Sequence, residues 1–201
     1  MTDIKICGLM RPCDADYVNE ANPDYAGFIL SPGFRRSISL EQAMEIRRRL
    51  NPVIRTVGVF VNPGQNEVMN AYDAGLIDIV QLHGNESNEF ISEIREMTGL
   101  PVIKAFKAGE VTAGELMKSH ADAFLIDSGR GSGQTFDWSV IDHLKDALNR
   151  TWILAGGLNP ENIPDAIESV NPPVIDLSSG VETDGCKDRE KIIAAVNAAR
   201  K

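Results

Sequence analysis

The sequence predicts a (β/α)8 barrel, a closed parallel sheet of eight strands wrapped by helices. Three observations predict it. Strand-like apolar runs alternate with helix-like amphipathic stretches along the whole chain, eight of each, at about 25 residues per unit. The strand segments are apolar almost without interruption, as in residues 54–61 and 122–127, which parallel strands buried on both faces require. The glycine-rich loops come late, after the sixth, seventh and eighth strands. An open doubly wound sheet would stop at five to seven strands and carry its dominant phosphate loop near the N-terminus. The chain, at 201 residues, is shorter than the ~250 typical of such barrels. No linker or low-complexity tract interrupts it, so one domain is expected over residues 1–201.

The first strand is placed at 4–7, and Pro12 suits the first turn of a helix reaching Ala21. The second strand is 25–30. Ser39 caps a helix over 40–50, with Leu40, Ala43, Met44, Ile46 and Leu50 on one face. The third strand is 54–61, and its helix, 65–74, stops at Gly75. The fourth strand is 78–83, with a helix over 86–97 that Gly99 ends. The fifth is 101–106, and Thr112 caps a short helix to Ser119. The sixth is 122–127, followed by a glycine-rich loop over 128–135 and a helix over 138–148. The seventh is 151–155, ending in Gly156-Gly157, and Pro160 is expected to open a helix to Ser169. The eighth is 173–177, with a loop over 178–185 and a closing helix over 188–199.

Composition narrows the function. With 43% apolar and 24% charged residues the chain is an ordinary globular protein. Its net charge of -9 argues against nucleic acid or an anionic membrane surface as partner. A small anionic ligand stays possible, because a local site can oppose the global sign. Cys7, Cys13 and Cys186 have no metal-ligand spacing, so reduced thiols, no metal and a cytoplasmic setting are expected. No stretch reads as a secretion signal or a membrane span.

In barrels of this kind the site lies at the C-terminal ends of the strands. Cys7-Gly8 ends the first strand; from its own neighbours Cys7 reads first as a small buried core residue, with metal ligand and nucleophile also open. Gly156-Gly157 and Ser178-Ser179-Gly180 follow the last two strands. Two such loops suit a phosphate dianion, through backbone N–H groups and serine hydroxyls; as tight turns they would need no ligand. Asp127 ends an apolar strand, where desolvation favours a proton donor. Its rival roles are a helix cap or a partner for Arg130. Arg35 and Arg36 lie on the loop after the second strand; one of them can clamp a carboxylate or phosphate, the other reads as a solvated charge. His83 ends the fourth strand as a positioned hydrogen-bonding or packing residue, and Phe136 and Trp138 read as packing beneath the sixth loop.

Several stretches resemble the phosphoribosylanthranilate isomerase family. They are KICG (5–8), the FxxxPxxxR segment (28–36), VGVFVN (57–62), VQLHG (80–84), GSGQTFDW (131–138), AGGLNPENI (155–163) and DLSSGVE (176–182) with Gly185, Lys187 and Asp188. The resemblance implies an Amadori rearrangement of an N-phosphoribosyl anthranilate, a step of tryptophan biosynthesis. It implies Cys7 as base, Asp127 as acid, Arg36 near the anthranilate carboxylate, and the phosphate on the loops of Gly156, Gly157, Ser178, Ser179 and Gly180. It implies no cofactor, because the substrate nitrogen is the electron sink, and a monomer or homodimer. One departure is Arg130, which stands where the family writes the first of two glycines. Three rivals are set against this reading. A metal-dependent pentose-phosphate epimerase would want more strand-end histidines. A lyase would use Lys104 or Lys107, leaving Cys7 and Asp127 unexplained. A non-catalytic phosphosugar-binding barrel would be expected to lack the acid or the base.

Overall fold

The computed structural model describes residues 1–127 and 139–201. The expected sixth loop, with Arg130, Phe136 and Trp138, lies outside the described residues. Eight strands, all parallel, close into a barrel in sequence order. They are β1 (Asp3–Cys7), β2 (Tyr25–Ile29), β3 (Arg55–Phe60), β4 (Ile79–Leu82), β5 (Val102–Lys107), β6 (Ala123–Asp127), β7 (Thr151–Ala155) and β8 (Val174–Leu177).

Period-2 alternation sorts every strand into two faces. Cys7, Val57, Val59, Ile79, Ile103, Ala105, Leu125, Ile153, Ala155 and Val174 form the core inside the barrel. The alternate residues, among them Ile4, Ile6, Phe28, Val80, Leu82, Phe124, Leu154 and Ile175, pack outward against the helices. Both faces are therefore dry, which is why these strands carry so few polar residues. A side chain on Gly58 would sit 2.8 Å from Ile77 Cγ2 and 2.9 Å from a Phe60 ring carbon, so glycine keeps that wall thin.

The helices are α1 (Pro12–Ala21), α2 (Leu40–Arg47), α3 (Gln65–Asp73), α4 (Asn88–Thr98), α5 (Ala113–Lys118), α6 (Ser139–Asp142), α7 (Ile163–Val170) and α8 (Arg189–Ala199). The expected caps at Ser39 and Thr112 accept the N–H of Gln42 and Glu115. Helix α2 ends three residues early, passing through i→i+3 turns at Arg49 and Leu50. Helix α6 is a single turn, followed by a 3₁₀ turn at Lys145–Ala147. Pro160 does not open α7; Pro164 does. The Asn159 side chain accepts the N–H groups of Glu161 and Asn162, which locks 159–162 as a turn. The loop after β8 holds more structure than expected: a 3₁₀ turn (Ser179–Val181), then a hairpin of β9 (Glu182–Thr183) and β10 (Cys186–Lys187). Its turn is Asp184-Gly185, both at positive φ, the usual chemistry of a two-residue hairpin loop.

Lys104 points out of the barrel wall, not into it. Its ammonium donates to Gly84 O at 2.7 Å and pairs with Glu86 at 3.1 Å, both side chains nearly inaccessible. Glu86 in turn accepts the N–H groups of Asn62 and Gly84, so α4 starts after it, at the Ser87 cap. Lys104→Met strands the Glu86 carboxylate. We expect a loss of about 3 kcal/mol, read as a fall of about 6–12 °C in Tm by circular dichroism. Lys104→Met with Glu86→Gln should recover part of it.

Candidate active site

A cavity of about 330 Å³ opens at the C-terminal ends of the strands. Of the residues singled out in the sequence, Cys7, Arg36, His83, Asp127, Gly156, Gly157, Ser178 and Ser179 line it; Gly180 does not. A larger, shallow groove at the other end of the strands is built around the Arg95–Asp122 ion pair and carries no comparable set.

Cys7 ends β1 and faces inward. Only 6% of it is accessible. Burial pushes its thiol above the ordinary range; the ammonium of Lys5, and more weakly Lys187, work against that, while Asp176 adds to it. Lys5 stands two residues before Cys7 on the same face. It is buried and pairs at 2.8 Å with Asp176, its register neighbour on β8. Burial alone would push the Lys5 ammonium down, but Asp176 and Cys7 outweigh it and hold it above its ordinary value. Asp176 and Gln81 also line the cavity, and neither was singled out from the sequence.

Asp127 ends β6 on another side of the same cavity. His83 Nε2 lies 3.4 Å from Asp127 Oδ2, and His83 Nδ1 is 3.1 Å from Gln81 Nε2. The Gln81 amide thus orients the ring. If its N–H points at Nδ1, the Nε2 position is the one that shares a proton with Asp127.

The loops after β7 and β8 meet closely. Gly156 and Gly157 take φ of 94° and 66°. A side chain on Gly180 would fall 1.8 Å from Leu158 O. Gly180 therefore seats one loop on the other, while Gly156, Gly157, Ser178 and Ser179 face the cavity. The Ser178 hydroxyl donates to Cys7 O at 3.1 Å, joining this rim to β1.

Arg35 is the more solvated of the two arginines of the second loop, with 53% of its side chain exposed against 19% for Arg36, yet neither is free. Both are drawn to Glu182, on the hairpin. Arg36 binds it through Nε (2.5 Å) and Nη2 (3.0 Å), Arg35 through Nη2 (2.5 Å), and Lys187 at 2.8 Å. Gly8 serves this arrangement: at φ 78° it leaves room for Arg36, whose Cδ would be 2.6 Å from a side chain there. Three cations against one carboxylate leave this rim with two positive charges, in a chain of net charge -9. Burial works to raise the Glu182 carboxyl, yet its hydrogen bonds from Arg36, Lys187 and Arg35 prevail and hold it at about 2. Burial likewise pushes the Lys187 ammonium down, against its bond to Glu182.

A closed parallel barrel with a strand-end thiol and carboxylate below two glycine-bearing loops and a cationic rim defines a phosphate-binding barrel equipped for acid–base chemistry. The comparisons with known proteins give the family. The model of N-(5'-phosphoribosyl)anthranilate isomerase matches residues 4–198. The N-(5'-phosphoribosyl)anthranilate isomerase of Lacticaseibacillus casei (strain BL23) is 44% identical over 200 residues, covering 100% of this chain and 96% of that protein. The crystal structure of phosphoribosyl anthranilate isomerase from Thermotoga maritima superposes with a TM-score of 0.87 at 36% identity, over 100% of this chain and 99% of that one. Another phosphoribosyl anthranilate isomerase, solved with reduced 1-(o-carboxyphenylamino)-1-deoxyribulose 5-phosphate, gives 0.85 at 35% identity, over 100% and 99%. The chain belongs to the phosphoribosylanthranilate isomerase family.

The Glu182 cluster carries a pH signature. A carboxyl held at about 2 instead of the ordinary 4.5 contributes stability that is fully present above 4.5 and lost as pH falls toward 2. The span amounts to about 3 kcal/mol. Urea unfolding of the wild type and Glu182→Gln should show a wide gap at pH 7 that narrows as pH drops from 4.5. A gap independent of pH would contradict the assignment.

Proposed function

We infer that this protein is an N-(5'-phosphoribosyl)anthranilate isomerase, acting in tryptophan biosynthesis. The observation that carries the reading is one cavity holding a thiol on β1, a carboxylate on β6 and phosphate-type loops after β7 and β8, in a chain of this family. Asp127, sharing a proton with His83, protonates the ribose ring oxygen. The C1–O bond breaks and the nitrogen lone pair forms a Schiff base. Cys7, as thiolate, takes the proton from C2; the electrons flow into the iminium and give an enolamine. Ketonisation yields 1-(2-carboxyphenylamino)-1-deoxyribulose 5-phosphate. No cofactor is called for, since the substrate nitrogen accepts the electrons.

Arg36 keeps Nη1 for the anthranilate carboxylate while Glu182 fixes the rest of its fork. Gly156, Gly157, Ser178 and Ser179 take the phosphate, with Gly180 shaping their loop. Remote binding of the phosphate holds the reacting carbon between base and acid, so it serves rate as well as affinity. The lyase reading lacks support because neither of its lysines lines the cavity: Lys104 is committed to Glu86 outside the barrel, and the exposed Lys107 pairs with Glu110 at 3.1 Å. Among the described residues no helix is long and apolar enough to cross a membrane. We read the chain as one cytoplasmic barrel domain over 1–201, a monomer or homodimer with a small-molecule substrate, no metal and no nucleic-acid or membrane partner.

The test is the loss of phosphoribosylanthranilate fluorescence on adding purified protein. Cys7→Ala and Asp127→Asn should each lower kcat by about 10³-fold or more, while affinity for the reduced product analogue changes little. Near-wild-type turnover by either variant removes that residue from the mechanism. No turnover by folded wild type would favour a phosphosugar-binding role.

A further inference from the structure

We propose that Lys5 is a positioning residue for Cys7: its buried ammonium, held by Asp176, is the counter-ion that the Cys7 thiolate requires, and Gly27 keeps open the slot in which both side chains lie. The inference rests on Cys7 being the base, as proposed above.

Three independent features of the fold converge on it. The strand period puts Lys5 and Cys7 on the same inward face of β1. The register of barrel closure sets Lys5 opposite Asp176, and the two pair at 2.8 Å with side-chain exposures of 1% and 9%. On the other side, β2 places Gly27 opposite Cys7. A side chain at Gly27 would lie 2.8 Å from Cys7 Sγ and 3.3 Å from Lys5 Cε, so the glycine lets thiol and lysine stem lie side by side against the wall.

The chemistry explains why a costly buried ion pair stands there. A carbon-bound proton demands a thiolate, and a thiolate in an apolar barrel needs a cation. An ammonium has three N–H donors. One serves Asp176 Oδ2, and the lysine stem that carries the others lies beside the thiol in the Gly27 slot. Among the described residues Asp176 Oδ1 has no hydrogen-bond donor, so its hold on Lys5 is through one oxygen only. The ammonium can then move its weight toward sulfur as the thiolate forms. The other charged groups around Cys7 are Lys187 of β10, Arg36 of the second loop, and Asp127 with His83 across the cavity. Lys5 is the cation that acts most strongly on the thiol.

The experiment is the pH dependence of Cys7 alkylation by iodoacetamide in the intact protein, read by mass spectrometry of the Cys7 peptide, alongside kcat/KM for phosphoribosylanthranilate. Lys5→Met should move the alkylation profile and the rising limb of kcat/KM to higher pH, with turnover at neutral pH down at least about tenfold. Asp176→Asn should move the alkylation profile the opposite way, to lower pH, which a merely structural role would not do. If Lys5→Met does not fold by circular dichroism, Lys5→Met with Asp176→Asn removes both charges, and the profile should still move up. A wild-type profile in the lysine variants, or the same direction of shift for Lys5→Met and Asp176→Asn, would overturn the proposal. Failure of wild-type turnover would strike the function reading alone, because alkylation still reports whether Lys5 governs the thiol.

Discussion

The Lys5–Asp176 ion pair sits at the seam where the first and last strands meet, inside the barrel, with the lysine buried and the aspartate at the floor of the cavity. Everything at the catalytic end depends on that seam. Closing it brings Cys7 beside Ser178, whose hydroxyl then bonds the Cys7 carbonyl, and so hangs the phosphate rim on the strand that carries the thiol. It also fixes which faces look inward, since a slip of one residue would turn Lys5, Cys7 and Asp176 out among the helices. Two buried charges are an expensive way to fill a barrel, and an apolar pair of equal volume would be at least as stable. Under the proposal that Lys5 serves the Cys7 thiolate, their presence follows from chemistry and not from folding. The cost is offset by the inner apolar layer and the larger shell between strands and helices.

A second buried carboxylate solves a different problem. The substrate is an anion with a phosphate at one end and a carboxylate at the other, and the protein carries a net charge of -9. Long-range attraction is therefore poor, and binding has to be local. Glu182 gathers Arg35, Arg36 and Lys187 onto one hairpin. The three cations would repel one another without it; with it they stand at fixed positions and still leave a positive excess. Holding part of the Arg36 fork on Glu182 also restricts the arginine's rotamers, which lowers the side-chain entropy lost in the binding proposed for it.

The barrel was legible because its signals are local. Apolar runs, capping residues and Gly75 or Gly99 at helix ends all report on neighbours within a few residues. The strand-end rule then placed Cys7, Asp127, His83 and the two late loops correctly around one cavity. What stayed hidden depends on closure. Lys5 and Asp176 are 171 residues apart, and only the register of β1 on β8 pairs them. Gln81 looked like one polar residue in a strand; its direction toward the cavity follows from the parity of Ile79 beside it. The attachment of Arg36 to Glu182 links loops 146 residues apart. Two features were legible and went unread. Asp184-Gly185 is a hairpin turn dipeptide between short extended pairs, and Asn159 with Asn162 marks a turn that postpones the helix to Pro164.

Acid–base catalysis here asks for protonation states opposite to the ordinary ones, a carboxylic acid and a thiolate together near neutral pH. One uniform environment cannot supply both, because burial raises carboxyl and thiol alike. The ligand makes the conflict sharper: its negative charges raise the proton affinity of every acid in the cavity, which helps Asp127 and harms Cys7. The structure separates the two groups. Asp127 sits at the partly open rim, side by side with His83, where the negative charge of a ligand acts on it directly. Cys7 sits one layer deeper, with an ammonium beneath it that the ligand cannot reach. In the proposed mechanism this difference in exposure, 6% for Cys7 against 28% for the Asp127 side chain, lets one anionic substrate meet a proton donor on one side and a proton acceptor on the other.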